Sequence, residues 1–226
     1  MTLQNGMIYG QQVRLYCDTA WLQLPNMEVA GFASKAVSGH LWPFAVIGTF
    51  IGHYGMPDLK EALDKAMPLD TRELLSACAG LLKSYHGSPD RIGRLLVASW
   101  DGAPQLHIMA SDNLGFVPPC KPAGLLSYAS SANDSGEYHE AVTKGFTPDR
   151  MLALIDRQRV TPYDAPGFDG CLGIGGTAVE IVVGANGVTS RVVQEWDDEL
   201  GEPIGCRATS GTATEIGFTA NRSIAR

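Results

Sequence analysis

Short runs in which apolar and polar residues alternate occur at several places along this chain, and that spacing is typical of half-buried β-strands. Turn signals separate neighbouring runs, so most of these strands are predicted to form antiparallel hairpins. The strongest signals are Asp101-Gly102 and Asn186-Gly187, and a tight turn at residues 10–12 joins the first two runs. The predicted strands cover residues 7–9, 13–17, 29–37, 44–50, 94–112 and 175–198, the last two ranges each being a complete hairpin.

Four other segments carry apolar residues at the three- and four-residue spacing of amphipathic helices. Asp70, with Glu73 three residues later, is predicted to cap the second of them, and Thr147 followed by Pro148 is predicted to cap the fourth. The four predicted helices cover residues 56–67, 69–87, 135–145 and 147–160. Residues 114–136, which are rich in Pro, Ser and Gly, are predicted to be mostly loop.

This order of elements predicts an α+β fold. Each hairpin must bury one face and each helix has one apolar stripe, and two stacked antiparallel sheets with helices on their outer faces satisfy both requirements. The predicted architecture is therefore a four-layer αββα sandwich. Since neither an internal repeat nor a clean linker is visible, residues 1–205 are predicted to form a single domain. Residues 206–226 form a polar C-terminal tail, predicted to be disordered or to lie against a neighbouring subunit.

Composition narrows the functional class. Hydrophobic residues make up 45% of the chain and charged residues 18%, which is ordinary for a domain with a core. The net charge of −7, without any cationic run, argues against nucleic acid as a partner. No apolar stretch is long enough for a membrane span, and no signal peptide is recognised. The five dispersed cysteines suggest reduced thiols in a cytoplasmic protein, and the histidine spacing predicts neither a metal site nor a cofactor.

The candidate chemistry lies in the first 48 residues. Thr2 is followed by Gly6, by an Asp18-Thr19 pair after the second strand, by Lys35 in GFASKAV and by Gly48 in FAVIGTFIG. In this order, and with LLVASWDGAPQLHIMASD and GGTAVEIVVGANGVTSRVV further along, the chain resembles the proteasome β-subunit family of N-terminal nucleophile (Ntn) hydrolases, as a divergent bacterial or phage member. The resemblance covers residues 2–196 and implies the Ntn-hydrolase form of the sandwich.

The resemblance implies a role for each matching residue. Thr2, once Met1 is removed, would be the nucleophile, with its own α-amine as the base. Lys35 would lower the pKa of that amine by like-charge repulsion and stabilise the developing alkoxide, and Asp18 would keep the lysine charged and aimed. The backbone N–H of Gly48 would be the oxyanion donor. The implied activity is a threonine peptidase or amidase acting on a peptide or small amide through an acyl-enzyme.

Several positions depart from the family pattern. The family's late Asp-x-x-Ser-Gly-Gly motif, aligned on Gly175-Gly176, has Cys171 at the aspartate position and Ile174 at the serine position. Two aspartates nearby, Asp164 and Asp169, are out of register, and only Ser130-Ser131 loosely matches the Ser-Gly that assists the threonine. A catalytically silent subunit that serves as an assembly scaffold is therefore the alternative function, since a fold does not fix an activity.

Self-association into a homo-oligomeric ring is also implied by the resemblance, with weak sequence support from the apolar helix at residues 74–82 and from the tail. Two other motifs are weaker functional candidates. Cys17 lacks a histidine placed to activate it and is expected to pack in the core. The glycine-rich LGIGGTA lacks the Lys-Ser/Thr of a phosphate-binding loop and leads into a strand, so it is not assigned to nucleotide binding.

Overall fold

The chain forms a mixed α+β structure, seen in a computed structural model that describes residues 2–23, 26–51, 55–88, 90–114, 117–130, 136–162 and 171–205. The twelve strands in these ranges are β1 (Gln4–Tyr9), β2 (Gln12–Asp18), β3 (Ala20–Gln23), β4 (Glu28–Phe32), β5 (Ala36–Ser38), β6 (Phe44–Ile51), β7 (Ile92–Trp100), β8 (Pro104–Ala110), β9 (Ala123–Leu125), β10 (Ser127–Ala129), β11 (Thr177–Gly184) and β12 (Gly187–Glu195). The four helices are α1 (Gly55–Ala66), α2 (Thr71–Tyr85), α3 (Gly136–Lys144) and α4 (Pro148–Val160). The predicted tail, residues 206–226, lies outside the described residues.

Two five-stranded antiparallel sheets carry most of the strands. The first sheet has the order β10-β1-β2-β11-β12 and the second has the order β5-β6-β7-β8-β9, while β3 and β4 pair with each other. Alternate residues of both sheets meet in one apolar cluster, in which Leu15 and Ile181 of the first sheet pack with Ile47, Leu96 and other residues of the second. Each sheet therefore buries one of its two faces against the other sheet, because strand side chains alternate between faces.

Helices cover the opposite face of each sheet. Helices α1 and α2 pack on β6, β7 and β8, and the buried residues of α2 include Leu74, Cys78 and Leu82. Helix α4 packs on the first sheet through Met151, Leu154 and Ile155, with α3 beside it. The apolar stripe of α2 is thus used inside the chain, so it gives no support to the prediction of self-association.

Helix caps follow the predicted residues. The Asp70 carboxylate accepts from the Glu73 backbone N–H at 2.7 Å, and the Glu73 side chain accepts from the Leu69 N–H at 3.0 Å. Thr147 caps α4 by accepting from the Arg150 N–H. Both caps satisfy backbone donors that the first helical turn leaves unpaired.

Differences from the predicted elements concentrate in irregular segments. The segment 114–136, predicted to be mostly loop, contains the short strands β9 and β10, and the predicted strand at 29–37 is divided between β4 and β5. The last hairpin turns at Ala185-Asn186, one residue before the prediction, since Gly184 pairs with Gly187. Gly187 takes the positive φ of 114°, so the turn places its glycine at the start of β12. None of the helices in the described ranges is long and apolar enough to cross a membrane.

A buried carboxylate on β11 is expected to make stability acid-sensitive. Glu180 accepts from Arg14 at 2.7 Å, from the Tyr16 hydroxyl at 2.8 Å and from Arg191 at 2.6 Å. Burial raises its pKa, but these three donors outweigh burial and hold the pKa of Glu180 below its usual value. Because the folded-state pKa is depressed, this stabilisation is present above the unfolded pKa of about 4.3 and is lost as the pH falls through the folded value.

Urea unfolding at pH 7 and at about pH 3.5 measures this dependence. Glu180→Gln is expected to be less stable than wild type at pH 7 and to lose less stability on acidification. Glu140→Gln is the control, because Glu140 pairs with Lys144 on an exposed helix face where such pairs contribute little. An unchanged pH dependence in Glu180→Gln would contradict the assignment.

Candidate active site

Three of the four predicted catalytic residues meet at one end of the first sheet. Thr2 precedes β1, Asp18 ends β2, and Lys35 precedes β5 at the edge of the second sheet. The Lys35 ammonium donates to the Asp18 carboxylate at 2.9 Å and to the Thr2 hydroxyl at 3.3 Å. All three are buried, with Thr2 8% exposed, Asp18 0% and Lys35 4%. Lys35 and Thr2, which are 33 residues apart in the chain, thus form a buried hydrogen bond between an ammonium and a hydroxyl.

The Asp18 carboxylate is held by three donors. Besides Lys35, the Leu3 backbone N–H donates to Oδ1 at 2.8 Å and the Gly175 N–H donates to Oδ2 at 3.2 Å. A buried charge is tolerated only when it is paired and hydrogen-bonded, and this carboxylate meets both conditions. Its bond to Leu3 also ties the residue after Thr2 to β2. Asp18 therefore fixes both the ammonium and the main chain beside the candidate nucleophile.

Gly48, the fourth predicted residue, is not brought to the Thr2 hydroxyl by any contact in the described residues. Its backbone N–H donates to the Lys35 carbonyl at 3.2 Å, within the pairing of β6 with the segment before β5. A methyl group at Gly48 would lie 2.4 Å from the Phe50 ring and 3.1 Å from the Met56 sulfur. The absence of a side chain here lets β6 and α1 pack closely, and an oxyanion role for this N–H requires its bond to Lys35 to open.

Ser130 is the functional candidate that the sequence only loosely indicated. It follows β10, which pairs with β1 so that Asn5 lies opposite Ala129. The Ser130 hydroxyl donates to the Thr2 carbonyl at 3.3 Å and accepts from the Gln4 N–H at 3.1 Å. The available signal was the alternating Ser127-Tyr128-Ala129 run inside a segment otherwise typical of a loop. Ser131 and Met1 lie outside the described residues.

The Gly175-Gly176 segment supports the site through its backbone. The Gly175 carbonyl accepts from the Thr19 and Ala20 N–H groups at 3.3 and 3.1 Å, directly after Asp18. The Gly176 N–H donates to Asp198 at 2.8 Å, and Asp198 forms an ion pair of 2.6 Å with Arg159. Asp198, which the sequence did not single out as a site residue, therefore anchors this turn.

Neither Cys171 nor Ile174, the two described positions that depart from the late family motif, supplies a carboxylate or hydroxyl to Thr2. Ile174 is buried in the apolar cluster beneath α4, and Cys171 is half-buried. Asp164 and Asp169 lie outside the described residues.

Cys17 packs in the core between the two sheets, as predicted from the sequence. Burial raises the pKa of its thiol to about 12, and the neighbouring Asp18 charge adds to the shift. A thiol with that pKa is protonated near neutral pH and is a weak nucleophile. Cys17 is therefore a structural residue beside the site.

A cavity of about 540 Å³ is lined by the chain neighbours of Asp18 and Lys35, although not by these two residues themselves. Its walls include Cys17 and Thr19, which flank Asp18, and Ser34 and Ala36, which flank Lys35, whereas Thr2 does not line it. The only charged residue among the described residues of the lining is Asp198, which is ion-paired. The remaining lining residues are a glycine and residues with apolar or hydroxyl side chains: Phe32, Ala33, Ser38, Gly176, Thr177, Val179, Ile181, Val188, Thr189, Ser190 and Trp196. This size is typical of small-molecule sites, and the lining favours an uncharged group.

The buried Thr2 hydroxyl thus lies against the Lys35 ammonium, and the counter-ion of that ammonium, the Asp18 carboxylate, accepts two further hydrogen bonds from backbone N–H groups. Such an arrangement stabilises an alkoxide that develops at the hydroxyl oxygen. Searches of this sequence against models of known protein families and against curated proteins find no match.

Proposed function

We propose that this chain is a threonine peptidase or amidase of the proteasome-like Ntn-hydrolase type, in which Thr2 becomes the N-terminal residue after removal of Met1. The observation that carries the proposal is the buried contact of the Lys35 ammonium with both the Thr2 hydroxyl and the Asp18 carboxylate. The stacked antiparallel sheets with helices on their outer faces are consistent with the αββα sandwich of that class.

In the proposed reaction, the free α-amine of Thr2 takes the proton of the Thr2 hydroxyl, directly or through a water. The Thr2 oxygen bonds to the carbonyl carbon of the amide, and the carbonyl oxygen becomes an oxyanion. Collapse of this intermediate breaks the C–N bond, and the leaving amine takes the proton. Water then hydrolyses the ester on Thr2, which releases the acid and restores the hydroxyl.

Lys35 would act electrostatically. Its charge stabilises the developing alkoxide and lowers the pKa of the adjacent α-amine, because two cations close together repel. Gly48 stays a predicted oxyanion donor, conditional on release of its bond to the Lys35 carbonyl. The cavity beside Lys35 is proposed to accept an uncharged part of a peptide or small amide. Assembly into a homo-oligomeric ring and a cytoplasmic location are further parts of this proposal.

Intact-mass spectrometry of natively expressed protein tests the proposal directly. Loss of Met1 is expected, followed by a single mass addition at Thr2 when the protein is incubated with a threonine-directed electrophile. Thr2→Ala should abolish the addition, and Thr2→Ser, which keeps a hydroxyl, should retain it at a reduced rate. Uniform retention of Met1 would rule out the hydrolase, because the amine would then be an amide nitrogen.

A catalytically silent scaffold is the second candidate. The engaged Gly48 N–H and the residues Cys171 and Ile174 in place of a supporting carboxylate and hydroxyl favour it. In that case the Thr2–Lys35–Asp18 contacts would serve only to join the two sheets. Processed protein that fails to react with the electrophile would support this candidate over the hydrolase.

A further inference from the structure

A buried pair of side-chain amides joins β1 to α4. The Asn5 amide group donates to the Gln158 Oε1 at 2.6 Å, and the Gln158 amide group donates to the Asn5 Oδ1 at 3.0 Å. Asn5 is fully buried and Gln158 is 2% exposed. Each amide thus satisfies the other, which removes much of the cost of burying two polar side chains.

Helix packing alone does not explain a glutamine at this position. Gln158 continues the buried stripe of α4, three residues after Ile155 and four after Leu154. Those residues pack in an apolar cluster with Leu3 and Met7 of the first sheet. A leucine or methionine at 158 would extend this cluster, so the polar side chain is expected to serve a specific contact.

That contact is with Ser130. The Gln158 amide also donates to the Ser130 carbonyl, and the Ser130 N–H donates to the Asn5 Oδ1 at 3.1 Å. The amide pair therefore holds the Ser130 backbone on both its N–H and its C=O side. The Ser130 hydroxyl, fixed in turn, contacts the Thr2 carbonyl at 3.3 Å and the Gln4 N–H at 3.1 Å.

We propose that Gln158 and Asn5 are positioning residues for the Thr2 nucleophile, acting through Ser130. The inference rests on the proposed function. In this chain two amides, one on a strand and one on a helix, would align the Thr2 main chain through the Ser130 hydroxyl. A change at Gln158 would then reduce the reactivity of Thr2 through the serine alone.

Gln158→Met tests the inference, since methionine has a similar length and offers no N–H donor. Two measurements are made on processed protein, namely the rate of electrophile addition at Thr2 and hydrogen exchange at individual backbone amides. We expect addition to slow by about tenfold, and the Gln4 and Ser130 amides to exchange about tenfold faster, with Val97 in the second sheet unchanged. Gln158→Asn, whose amide is one methylene group shorter, is the second variant should Gln158→Met fail to fold.

Non-additivity separates positioning from a general loss of structure. In a Ser130→Ala background, Gln158→Met is expected to slow the addition no further, because its effect passes through the serine. Gln194→Met is the matched control, because Gln194 also donates to α4, at Asp156, but lies at the surface. This control should leave the addition rate and the Gln4 exchange rate unchanged.

Three results would contradict the positioning role of Gln158. Unchanged exchange at Gln4 and Ser130 in Gln158→Met would overturn the inference, as would full additivity with Ser130→Ala. Faster exchange with an unchanged rate of addition would also overturn the role in reactivity. If wild-type Thr2 fails to react, the proposed function fails and reactivity cannot depend on Gln158, while the exchange comparison still decides whether the amide pair holds Ser130.

Discussion

Replacing Lys35 with methionine is expected to slow electrophile addition at Thr2 by about 10²- to 10³-fold, the effect of removing one preorganised electrostatic contact from a reacting oxygen. Methionine keeps much of the volume and leaves the Thr2 hydroxyl without its 3.3 Å donor. The same change is expected to lower the free energy of unfolding by about 3–5 kcal/mol, because the buried Asp18 carboxylate would lose the ammonium partner 2.9 Å away. Rate measurements on folded protein and urea unfolding measure the two effects separately.

The double variant Lys35→Met/Asp18→Asn distinguishes catalysis from stability. Asparagine removes the unpaired charge, so part of the lost stability is expected to return. The recovery should be incomplete. The two Asp18 oxygens accept hydrogen bonds from the Leu3 and Gly175 N–H groups, whereas the carboxamide of asparagine has only one acceptor oxygen. Reactivity of Thr2 should stay low in both variants. Restored reactivity in the double variant would show that Lys35 only balances Asp18.

Gly176→Ala is expected to lower the free energy of unfolding by about 2–5 kcal/mol, from backbone strain and overpacking together. Gly176 has a φ of 74°, a conformation that disfavours a side chain. An added methyl group would lie 2.5 Å from the Thr19 hydroxyl oxygen and 2.7 Å from the Phe32 ring. The Thr19 hydroxyl accepts from the Thr177 N–H at 2.9 Å, so displacing it also disturbs the strand end that carries Asp18.

Gly10→Ala is the control for this variant. Gly10 has a similar φ of 61°, but an added methyl group would meet no atom within 4 Å. Its cost should therefore be the strain of the left-handed conformation alone, about 1–2 kcal/mol. Urea unfolding gives the loss in the free energy of unfolding for each variant. The difference between the two losses is the cost of the steric overlap at Gly176. Equal losses in the two variants would contradict the packing of Gly176 against Thr19, and electrophile addition should slow only in Gly176→Ala.

Much of the fold follows from signals that are local in the sequence. Asp70 and Thr147 cap their helices because a side-chain oxygen reaches a backbone N–H only three residues away. The first hairpin forms between β1 and β2 as predicted, but its turn is Gly10-Gln11, because Gln12 already pairs with Tyr9. Gly10 lies in the left-handed region. The last hairpin joins the two predicted strands, but its turn lies one residue earlier than predicted, because short loops of different types can join the same two strands.

The candidate site was predicted in part. Thr2, Asp18 and Lys35 could be selected because their order and spacing resemble a known family, and the structure brings these three side chains together. Gly48 matched the same pattern, yet its N–H bonds to the Lys35 carbonyl. Whether a backbone N–H is free depends on the strand register, which a glycine in a sequence does not reveal.

The helices, the main hairpins and their apolar faces could be predicted without a structure, because each depends on residues close together in the chain. The surroundings of Thr2 could not be predicted in this way. Ser130 reaches it through the pairing of β10 with β1, and Gln158 reaches Asn5 across 153 positions. Such contacts follow from the packing of whole elements, since a hydrogen bond forms within about 3 Å whatever the separation along the chain.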